Sequence, residues 1–574
     1  RMSADAFLRA IRAAPDDDLP RLVFADYLDE TGDPARAEFI RVQCELAQLP
    51  DHDPRRRDLE DREHDLLSEH EPGWIGDGAE GLQEWDWRRG FVDDVRASQR
   101  HIEELGDHSL LNRHPVHTVS NFGPWSSDQP HFWQRLPMPW WATVRRLCAG
   151  GGENMTIDQL GWFLRHATHP TNDQMPKLCE LDLTWLPDLS LLDGRFQEIG
   201  LLTRLRSLSF GRIHPLRQHA ASYGVNPQGF VTTFADCPLE RLESGISGLT
   251  SDGLRTLLSA PFAGTLKQLD ISDNPIAPDA YRAFEQAHRS MRLDRLDVSG
   301  TPLAGIALEP LLHARSLESL TRLEMNGCGS ARRNMEVLAG SPFWAQADHL
   351  RAHSGTIPAS TFEPLAHSHG PPALRLLDLA DNYLRTAGVR LLCEAPWAGS
   401  LTWLALSANY LDDESCRVLA RSGRFAHLRT LHLAHNNVRL DRGEGEQITD
   451  AGAAELANEP SLANLRLLSL SNTGITHRGV NAVLNGLYWR LFGLGLAGND
   501  LSPEVVRILA GSPRLARFVW LDLADNPRLR GHALMPLAES PYLSRLCELD
   551  CGGIDLADDV RAAFRERLGP RFSH

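Results

Sequence analysis

The feature that most constrains this chain is a nine-residue pattern, L-x-x-L-x-L-x-x-N, that recurs along most of its length. One clear copy runs from Leu374 to Asn382, and the next runs from Leu401 to Asn409. Nine of the thirteen intervals between successive ninth positions measure 27 residues, a regularity that chance does not produce. We therefore predict fourteen repeats, whose ninth positions are residues 186, 213, 247, 274, 301, 328, 355, 382, 409, 436, 473, 499, 526 and 554.

Each copy predicts one short strand followed by one helix. The alternation Leu377-Asp378-Leu379 places two leucines on one face of a strand. The asparagine at the ninth position can satisfy backbone groups where the chain leaves the strand. Residues 386–394 then have helical spacing, and Pro396 ends the segment. Because one such unit cannot bury its apolar face alone, we expect the units to stack with their strands in parallel.

On this pattern, the repeats between Leu178 and Ile554 resemble leucine-rich repeats of the ribonuclease-inhibitor type. The resemblance implies an α/β leucine-rich-repeat solenoid, shaped as a horseshoe with parallel strands on its concave face and helices on its convex face. It also implies that the concave face binds another macromolecule.

Residues 1–72 predict a small all-α module ahead of the repeats. Turn and capping signals predict helices up to Ala13, from Leu19 to Glu30, from Pro34 to Leu49, and from Pro54 to Pro72. The stretches LPRLVFADYLDE (residues 19–30) and AEFIRVQ (residues 37–43) resemble the bacterial repeat-companion domain over residues 6–49. That family has no defined biochemical role, so the resemblance carries no catalytic residue over to this chain.

The remaining segments are expected to close the two ends of the array. Residues 73–177 predict a Trp-rich transition and N-terminal cap with degenerate repeats, because open solenoid ends must be covered. Within it, residues 87–95 alternate as a single strand would. An aromatic ligand site is the alternative for its tryptophans. The repeats then fill residues 178–556, and residues 557–574 form a C-terminal cap helix. The tryptophans of the transition are Trp74, Trp85, Trp87, Trp125, Trp133, Trp140 and Trp141.

Charge and composition exclude several classes of protein. Residues 1–100 hold 14 Arg and no Lys against 25 Asp or Glu, in a chain of net charge −17. This acidity argues against broad nucleic-acid binding, which needs a basic surface. No apolar run approaches the roughly 18 residues that span a membrane, and the first residues show no secretory signal. With nine scattered cysteines and no C-x-x-C pair, we expect a cytoplasmic protein with reduced thiols.

Patterns that resemble catalytic or metal motifs are better explained by the repeats. Residues 493–498 match G-x-G-x-x-G, yet Leu494 and Leu496 occupy the core positions of a repeat. Cys547 and Cys551 lie four residues apart, but Cys551 falls on a core position. An acidic residue such as Asp378 stands between the core positions of six repeats, where we expect a solvated carboxylate rather than an acid-base pair. We predict no catalytic residue, no cofactor and no metal.

The face that should bind a partner changes character along the chain. Strand residues that flank the core positions are polar in the early repeats and apolar in the later ones. Large apolar groups on an exposed sheet are costly unless they are covered, and tryptophan is enriched in binding hot spots. Small residues at 493, 495 and 497 predict a hollow between Leu467 and Trp520. The predicted partner-binding residues are Leu376, Trp403, Thr430, His432, Leu467, Gly495, Trp520 and Asp522.

One interval between repeats is ten residues longer than the period. The added segment is polar and rich in glycine, which predicts a mobile loop at the rim of the binding face. The sequence leaves open whether this loop or a terminal segment covers the face or extends it. The predicted loop residues are Arg439, Asp441, Arg442, Glu444 and Glu446.

These features predict a non-enzymatic scaffold or adaptor that binds a protein partner on its concave face. A sharper version is a regulatory or inhibitory subunit of an enzyme or effector complex. The alternative is an enzyme or effector whose activity lies in residues 1–150 and whose repeats recognise the substrate. That region shows no recognisable nucleophile, metal or phosphate motif, which favours the scaffold.

Overall fold

The chain forms two compact units. Unit 1 is Arg1–Ile276 with Gln286–Leu293, and unit 2 is Ala277–Glu285 with Asp294–His574. The division falls inside the repeats, and the boundaries at residues 72, 177 and 556 stay predictions. The computed structural model describes residues 4–49, 55–75, 82–97, 114–122, 143–149, 168, 175–184, 199–210, 227–301, 303, 308–328, 332–437, 447–488, 490–543, 546, 548–568 and 572–573.

Unit 1 opens with four helices. They are α1 Ala4–Ala13, α2 Leu19–Thr31, α3 Pro34–Gln48 and α4 Arg55–Ile75. Their ends follow the predicted capping signals: Gly32 ends α2 with a left-handed φ of 99°, and the Asp33 carboxylate accepts the Arg36 amide at 3.1 Å to begin α3. The predicted end of the fourth helix at Pro72 is wrong, because that proline lies within its last turn.

The strands of unit 1 begin with a hairpin. Strands β1 and β2 are antiparallel, and from β2 to β8 each strand pairs in parallel with the next. The single strand expected at 87–95 is wrong, because Arg89 and Gly90 adopt positive φ angles of 50° and 85° and reverse the chain. The strands are β1 Leu82–Arg88, β2 Phe91–Ala97, β3 Thr118–Phe122, β4 Arg146–Ala149, β5 Glu180–Leu183, β6 Ser207–Phe210, β7 Arg241–Glu243 and β8 Gln268–Asp270, with helices at Pro227–Phe234 and Ser251–Ser259 and 3-10 helices at Gly200–Thr203 and Pro261–Thr265.

The four helices dock on the hairpin through Gly90 and Arg36. A Cβ at Gly90 would lie 2.4 Å from Cγ1 of Ile40, so only glycine fits this turn. The Gly90 amide donates to Gln43 Oε1, and the Gly90 carbonyl accepts from Nη2 of Arg36, each at 2.5 Å. The Arg36 guanidinium lies 4.8 Å and 4.6 Å from the rings of Trp74 and Trp87, and burial lowers the pKa of this arginine to about 9.

The three tryptophans of this region that the structure describes, Trp74, Trp85 and Trp87, are therefore structural. Trp74 and Trp87 enclose Arg36, and the indole nitrogens of Trp85 and Trp87 donate to one carboxylate oxygen of Glu71 at 2.9 Å and 2.7 Å. For these three tryptophans, packing inside the unit replaces the alternative of an aromatic ligand site. Trp125, Trp133, Trp140 and Trp141 lie outside the described residues.

Unit 2 is built from one kind of layer, a strand followed by helical segments, which recurs along the chain. From β9 to β19 each strand pairs in parallel with the next, and the register advances by one repeat at each step. The strands are β9 Arg295–Asp297, β10 Arg322–Glu324, β11 His349–Arg351, β12 Leu376–Asp378, β13 Trp403–Ala405, β14 Thr430–His432, β15 Leu467–Ser469, β16 Gly493–Gly495, β17 Trp520–Asp522, β18 Glu548–Asp550 and β19 Phe572–Ser573.

Helical segments connect these strands. The α-helices are Leu308–Leu312, Arg332–Ala339, Pro342–Gln346, Ala359–Ala366, Arg385–Glu394, Asp413–Arg421, Asp450–Ala457, His477–Asn485, Pro503–Gly511, Met535–Ala538 and Asp558–Leu568. The 3-10 helices are Pro278–Gln286, Arg315–Leu317, Ala398–Ser400, Pro460–Leu462, Pro513–Arg517 and Pro527–Leu529. The last helix, Asp558–Leu568, fills only the first part of the segment 557–574 that was predicted as a C-terminal cap helix. Sequence analysis did not anticipate β19, whose Phe572 is buried against Phe564 with 5.1 Å between ring centroids.

In six of the repeats, a buried asparagine bonds the turn to the layer before it. Nδ2 of Asn382 donates to the carbonyls of Leu379 and Ala352 at 2.9 Å and 3.0 Å, and its Oδ1 accepts the amides of Gly355 and Ile357. This confirms the predicted role of the ninth position, and the bonding is of the same kind at Asn274, Asn409, Asn436, Asn499 and Asn526. The fold is an α/β leucine-rich-repeat solenoid, in which strands and helices alternate along the chain.

Candidate binding face

Two rows of residues run across β12–β17 in unit 2, and together they form what we call the strand face. Both rows are in register, because each strand pairs residue for residue with the next. The first row is Leu376, Trp403, Thr430, Leu467, Gly493 and Trp520. The second row is Asp378, Ala405, His432, Ser469, Gly495 and Asp522. All eight residues predicted for partner binding lie in these two rows.

One cluster on this face is centred on Trp403, which is only half-buried. Its ring centroid lies 5.1 Å from that of His432, and the Arg351 guanidinium lies 5.7 Å from its ring. A cation over an indole face is attracted by the ring quadrupole. Burial lowers the pKa of His432, and the nearby Asp378 carboxylate opposes that shift. The cluster therefore presents an aromatic surface with a neutral imidazole beside a guanidinium.

A second cluster surrounds Trp520, and here the predicted hollow is wrong. A Cβ at Gly493 would lie 3.1 Å from Cε3 of Trp520 and 3.4 Å from Cδ1 of Leu467. A Cβ at Gly495 would lie 3.1 Å from Cη2 of the same indole. The Trp520 ring thus lies over the two glycines and fills the space that their missing side chains leave. The G-x-G-x-x-G match belongs to the repeat register, as predicted, because its first two glycines support this ring.

The acidic residues between the core positions are ordered rather than freely solvated. Oδ1 of Asp378 and Oδ1 of Asp522 accept the amides of Ala380 and Ala524, each at 3.0 Å. Asp378 is only 8% exposed, so the expected solvated carboxylate is wrong at this position. Burial and the Asp550 carboxylate raise the pKa of Asp522, while the bond from the Ala524 amide opposes that shift. These side chains end their strands by a local turn, which is a structural role.

Sequence analysis missed an aromatic pair at the edge of the strand face. The rings of Tyr383 and Tyr410 stack with centroids 5.3 Å apart, and the Arg385 guanidinium lies 5.7 Å from the Tyr410 ring. Tyr383 is 45% exposed. Each tyrosine directly follows the ninth-position asparagine of its repeat, so a comparison of that position across repeats would have found the pair. Arg351, whose guanidinium lies beside the Trp403 ring, was likewise not predicted as a site residue.

The predicted rim loop lies outside the described residues. Sequence position alone places it between β14 and β15. The structure therefore tests neither the loop nor its relation to the strand face. The residues concerned are Arg439, Asp441, Arg442, Glu444 and Glu446.

Within the described ranges, no group of three or more His, Cys, Asp or Glu side chains is placed to hold a metal ion. In those same ranges, no helix combines the length and apolar character needed to cross a bilayer.

Comparison with known proteins finds a similarity in structure but none in sequence. No protein-family model matches it, and no curated protein sequence matches it. Among solved structures, it is similar to a chain in the crystal structure of the mouse RP105/MD-1 complex. The two share 14% sequence identity with a TM-score of 0.35, over 84% of this chain and 79% of that chain. The fold assignment rests on the repeated layers themselves.

Proposed function

We propose that the strand face of unit 2 binds a protein partner, and that the chain acts without catalysis as a scaffold or adaptor. The observation that carries this proposal is the pair of half-buried indoles, Trp403 and Trp520, on a sheet face. Apolar surface of this kind is costly in water unless a partner covers it. Residues of this type dominate the binding energy of protein interfaces.

The neighbouring side chains support the same proposal. Arg351 and His432 flank Trp403 with polar donors, and Tyr383 and Tyr410 extend the aromatic surface to one edge. Aromatic anchors beside arginine are the side chains that interfaces enrich. The order of the strand face also favours binding. A surface that is already held in place by buried backbone hydrogen bonds loses little conformational entropy when a partner docks on it.

A finer form of the proposal concerns where the protein acts and what its helical module does. We infer a cytoplasmic bacterial protein, in which helices α1–α4 are a repeat-companion module that recruits a second component. In a sharper form of the proposal, the chain is a regulatory or inhibitory subunit of an enzyme or effector complex. The partner bound on the strand face is then the protein that is regulated. The resemblance of residues 19–30 and 37–43 to that module supports this inference.

The test is affinity capture from the native host, followed by reconstitution with the captured protein. The double variant Trp403→Glu, Trp520→Glu should lose one protein that the wild type retains, and its Kd should rise at least about 100-fold. The matched control is Arg295→Gln, Arg322→Gln, which changes the net charge by the same amount on neighbouring strands and should bind normally. Capture of the same proteins by both double variants would contradict the proposal.

A further inference from the structure

A cavity opens between two neighbouring layers of unit 2, on the segments that precede β16 and β17. Its volume is about 580 Å³, which lies within the roughly 300–1,000 Å³ of small-molecule sites. The helix His477–Asn485 bounds one side, and the 3-10 helix Pro513–Arg517 bounds the other. None of its described lining residues belongs to the strand face, so the cavity is a separate site.

The cavity lies where one repeat lacks a core leucine. Five residues before their strands, the two neighbouring repeats place Leu462 and Leu515, which are 1% and 0% exposed. The corresponding residue before β16 is Tyr488, which is 45% exposed. Each of those leucines lies in a 3-10 helix that a proline begins, whereas Gly486 stands in the place of that proline. This layer therefore lacks a side chain that its neighbours bury, which leaves room for the cavity.

The accessible apolar surface of the cavity comes chiefly from Leu487 and Tyr488. Leu487 is 73% exposed, and both side chains lie in the lining. Behind them, Val483 and Phe518 are 1% and 2% exposed and pack into the core of the repeat. Trp489, which follows Tyr488 in the sequence, lies outside the described residues. Large apolar side chains exposed side by side are costly in water unless something apolar covers them.

Arginine supplies the charge of the cavity. Arg490, Arg514 and Arg517 belong to its lining, and the lining that the structure describes contains no acidic residue. Nη1 of Arg514 donates to the Gly486 carbonyl at 2.6 Å. Arg490 and Arg517 each lie three residues before strands that pair residue for residue, so they occupy the same side of adjacent layers. Within the described ranges, none of these three side chains forms an ion pair with a carboxylate.

We propose that this cavity binds a single-chain amphiphile, whose alkyl chain contacts Leu487 and Tyr488 and whose anionic head group contacts the arginines. Like charges in adjacent layers repel one another, and an anion placed among them removes that repulsion. A guanidinium fits a carboxylate or a phosphate group with two parallel hydrogen bonds. A neutral or cationic head group lacks this attraction, so the charge pattern of the cavity selects anions.

The test is calorimetric titration of the full chain with four ligands that share an octyl chain. Octanoate and octyl phosphate should both saturate the site, and the tighter of the two identifies the head group that the arginines prefer. The neutral 1-octanol should bind at least about tenfold more weakly, because it lacks the charged hydrogen bonds. Octylamine should not bind. Failure of both anions to saturate at millimolar concentration, or octylamine binding as tight as theirs, would overturn the proposal.

Chain length tests the apolar contact separately from the charge. Each methylene added between hexanoate and octanoate should tighten binding about threefold, because it buries further apolar surface. Equal affinity for acetate and octanoate would overturn the assignment of the alkyl chain to Leu487 and Tyr488.

Variants locate the site. The double variant Arg490→Gln, Arg517→Gln should weaken octanoate binding about tenfold and leave the affinity for 1-octanol unchanged, because it removes charge but no apolar surface. If this variant fails to fold by circular dichroism, Leu487→Ser carries the test, since that side chain is the most exposed of the apolar lining. Leu487→Ser should weaken the binding of both ligands. Wild-type affinity for octanoate in a folded Arg490→Gln, Arg517→Gln variant would overturn the assignment to this cavity.

The matched control is the double variant Arg507→Gln, Arg528→Gln. It removes the same charge from two exposed arginines that pair with Glu504 and Asp500 and lie outside the cavity lining. Octanoate should bind this variant as it binds the wild type. An equal loss of affinity in both double variants would show that net charge alone attracts the anion, and would overturn the proposed site.

Discussion

Two segments of unit 2 use the same repeat in different ways. In the leading segment, β9–β11, charged side chains pair across neighbouring repeats: Arg295 contacts Glu324 at 2.7 Å, and Arg322 contacts Asp348, the residue before β11, at 3.7 Å. In the following segment, β12–β17, the corresponding positions carry Trp403, Leu467 and Trp520. In the leading segment, the charged side chains on the surface are thus paired within the segment. In the following segment, the apolar side chains are not covered by other residues of their own strands.

The two segments also differ in the residue that holds the turn. The leading segment uses Thr301, Cys328 and Gly355 at the ninth position, whereas the following segment uses asparagine in every repeat except the one with Thr473. Sγ of Cys328 reaches the Val298 carbonyl at 3.2 Å, a weak bond beside those of an amide. The backbone is therefore most firmly bonded beneath the surface that we propose as the binding site. A stiff platform under apolar anchors is what preorganised binding requires.

The largest effect is expected from removing one of these asparagines. The Asn436 amide bonds three carbonyls and two amides of the backbone at 2.9–3.3 Å. Asn436→Ala leaves these buried groups without partners and should cost about 4 kcal/mol of unfolding free energy. Cys328→Ala should cost only about 1 kcal/mol. Urea unfolding of both variants measures the difference, and equal losses would show that the two segments are held alike.

A smaller effect on the unfolding free energy, of opposite sign, is expected at the residue that directly precedes the ninth position of a repeat. This position is left-handed in both segments: φ is 67° at Gly327 and 52° at Ala408. Because alanine is strained there and glycine is not, Ala408→Gly should raise the unfolding free energy by about 1 kcal/mol. Gly327→Ala should lower it by a similar amount, since a Cβ there meets nothing closer than 3.9 Å and only strain is added. A stabilising Gly327→Ala would contradict the argument.

The smallest effect is a dependence on pH that involves one histidine in each segment. Burial lowers the pKa of His432 and of His349, with Asp378 and Asp348 opposing the shift. The unfolded chain takes up a proton at about pH 6.5, and the folded chain resists it, so stability is full above that pH and falls as the pH drops below it. The variant His432→Gln should show a shallower loss between about pH 7 and pH 5. An unchanged slope would exclude His432 as a contributor.

Much of the fold follows from the sequence because the repeat fixes both register and burial. A period of 27 residues and an alternation of leucines suffice to place β12 at Leu376–Asp378 and its asparagine at 382. The two rows of the strand face follow from the same alternation. The hairpin was missed for a physical reason: the alternation of β1 continues in β2, and only the positive φ angles at Arg89 and Gly90 reverse the chain.

The candidate sites were less predictable than the fold, because their geometry depends on side chains that meet across repeats. No sequence pattern indicates that the Trp520 indole turns over Gly493 and Gly495, since alternation gives the face of a residue but not its rotamer. A polar cavity in unit 1 is lined by residues as far apart as Asp16 and Glu180, and five of its lining residues are arginines whose spacing in the sequence does not predict that they converge.

The asparagine ladder has a consequence for how the chain is made. Oδ1 of Asn436 accepts the amide of Asn409, which lies 27 residues earlier, and Oδ1 of Asn382 does the same for Gly355. A turn is thus completed by a side chain that the ribosome adds only after the whole next repeat. During synthesis, the newest layer is always unfinished while the layers behind it are sealed. The array is therefore expected to grow in one direction, with each repeat secured by its successor.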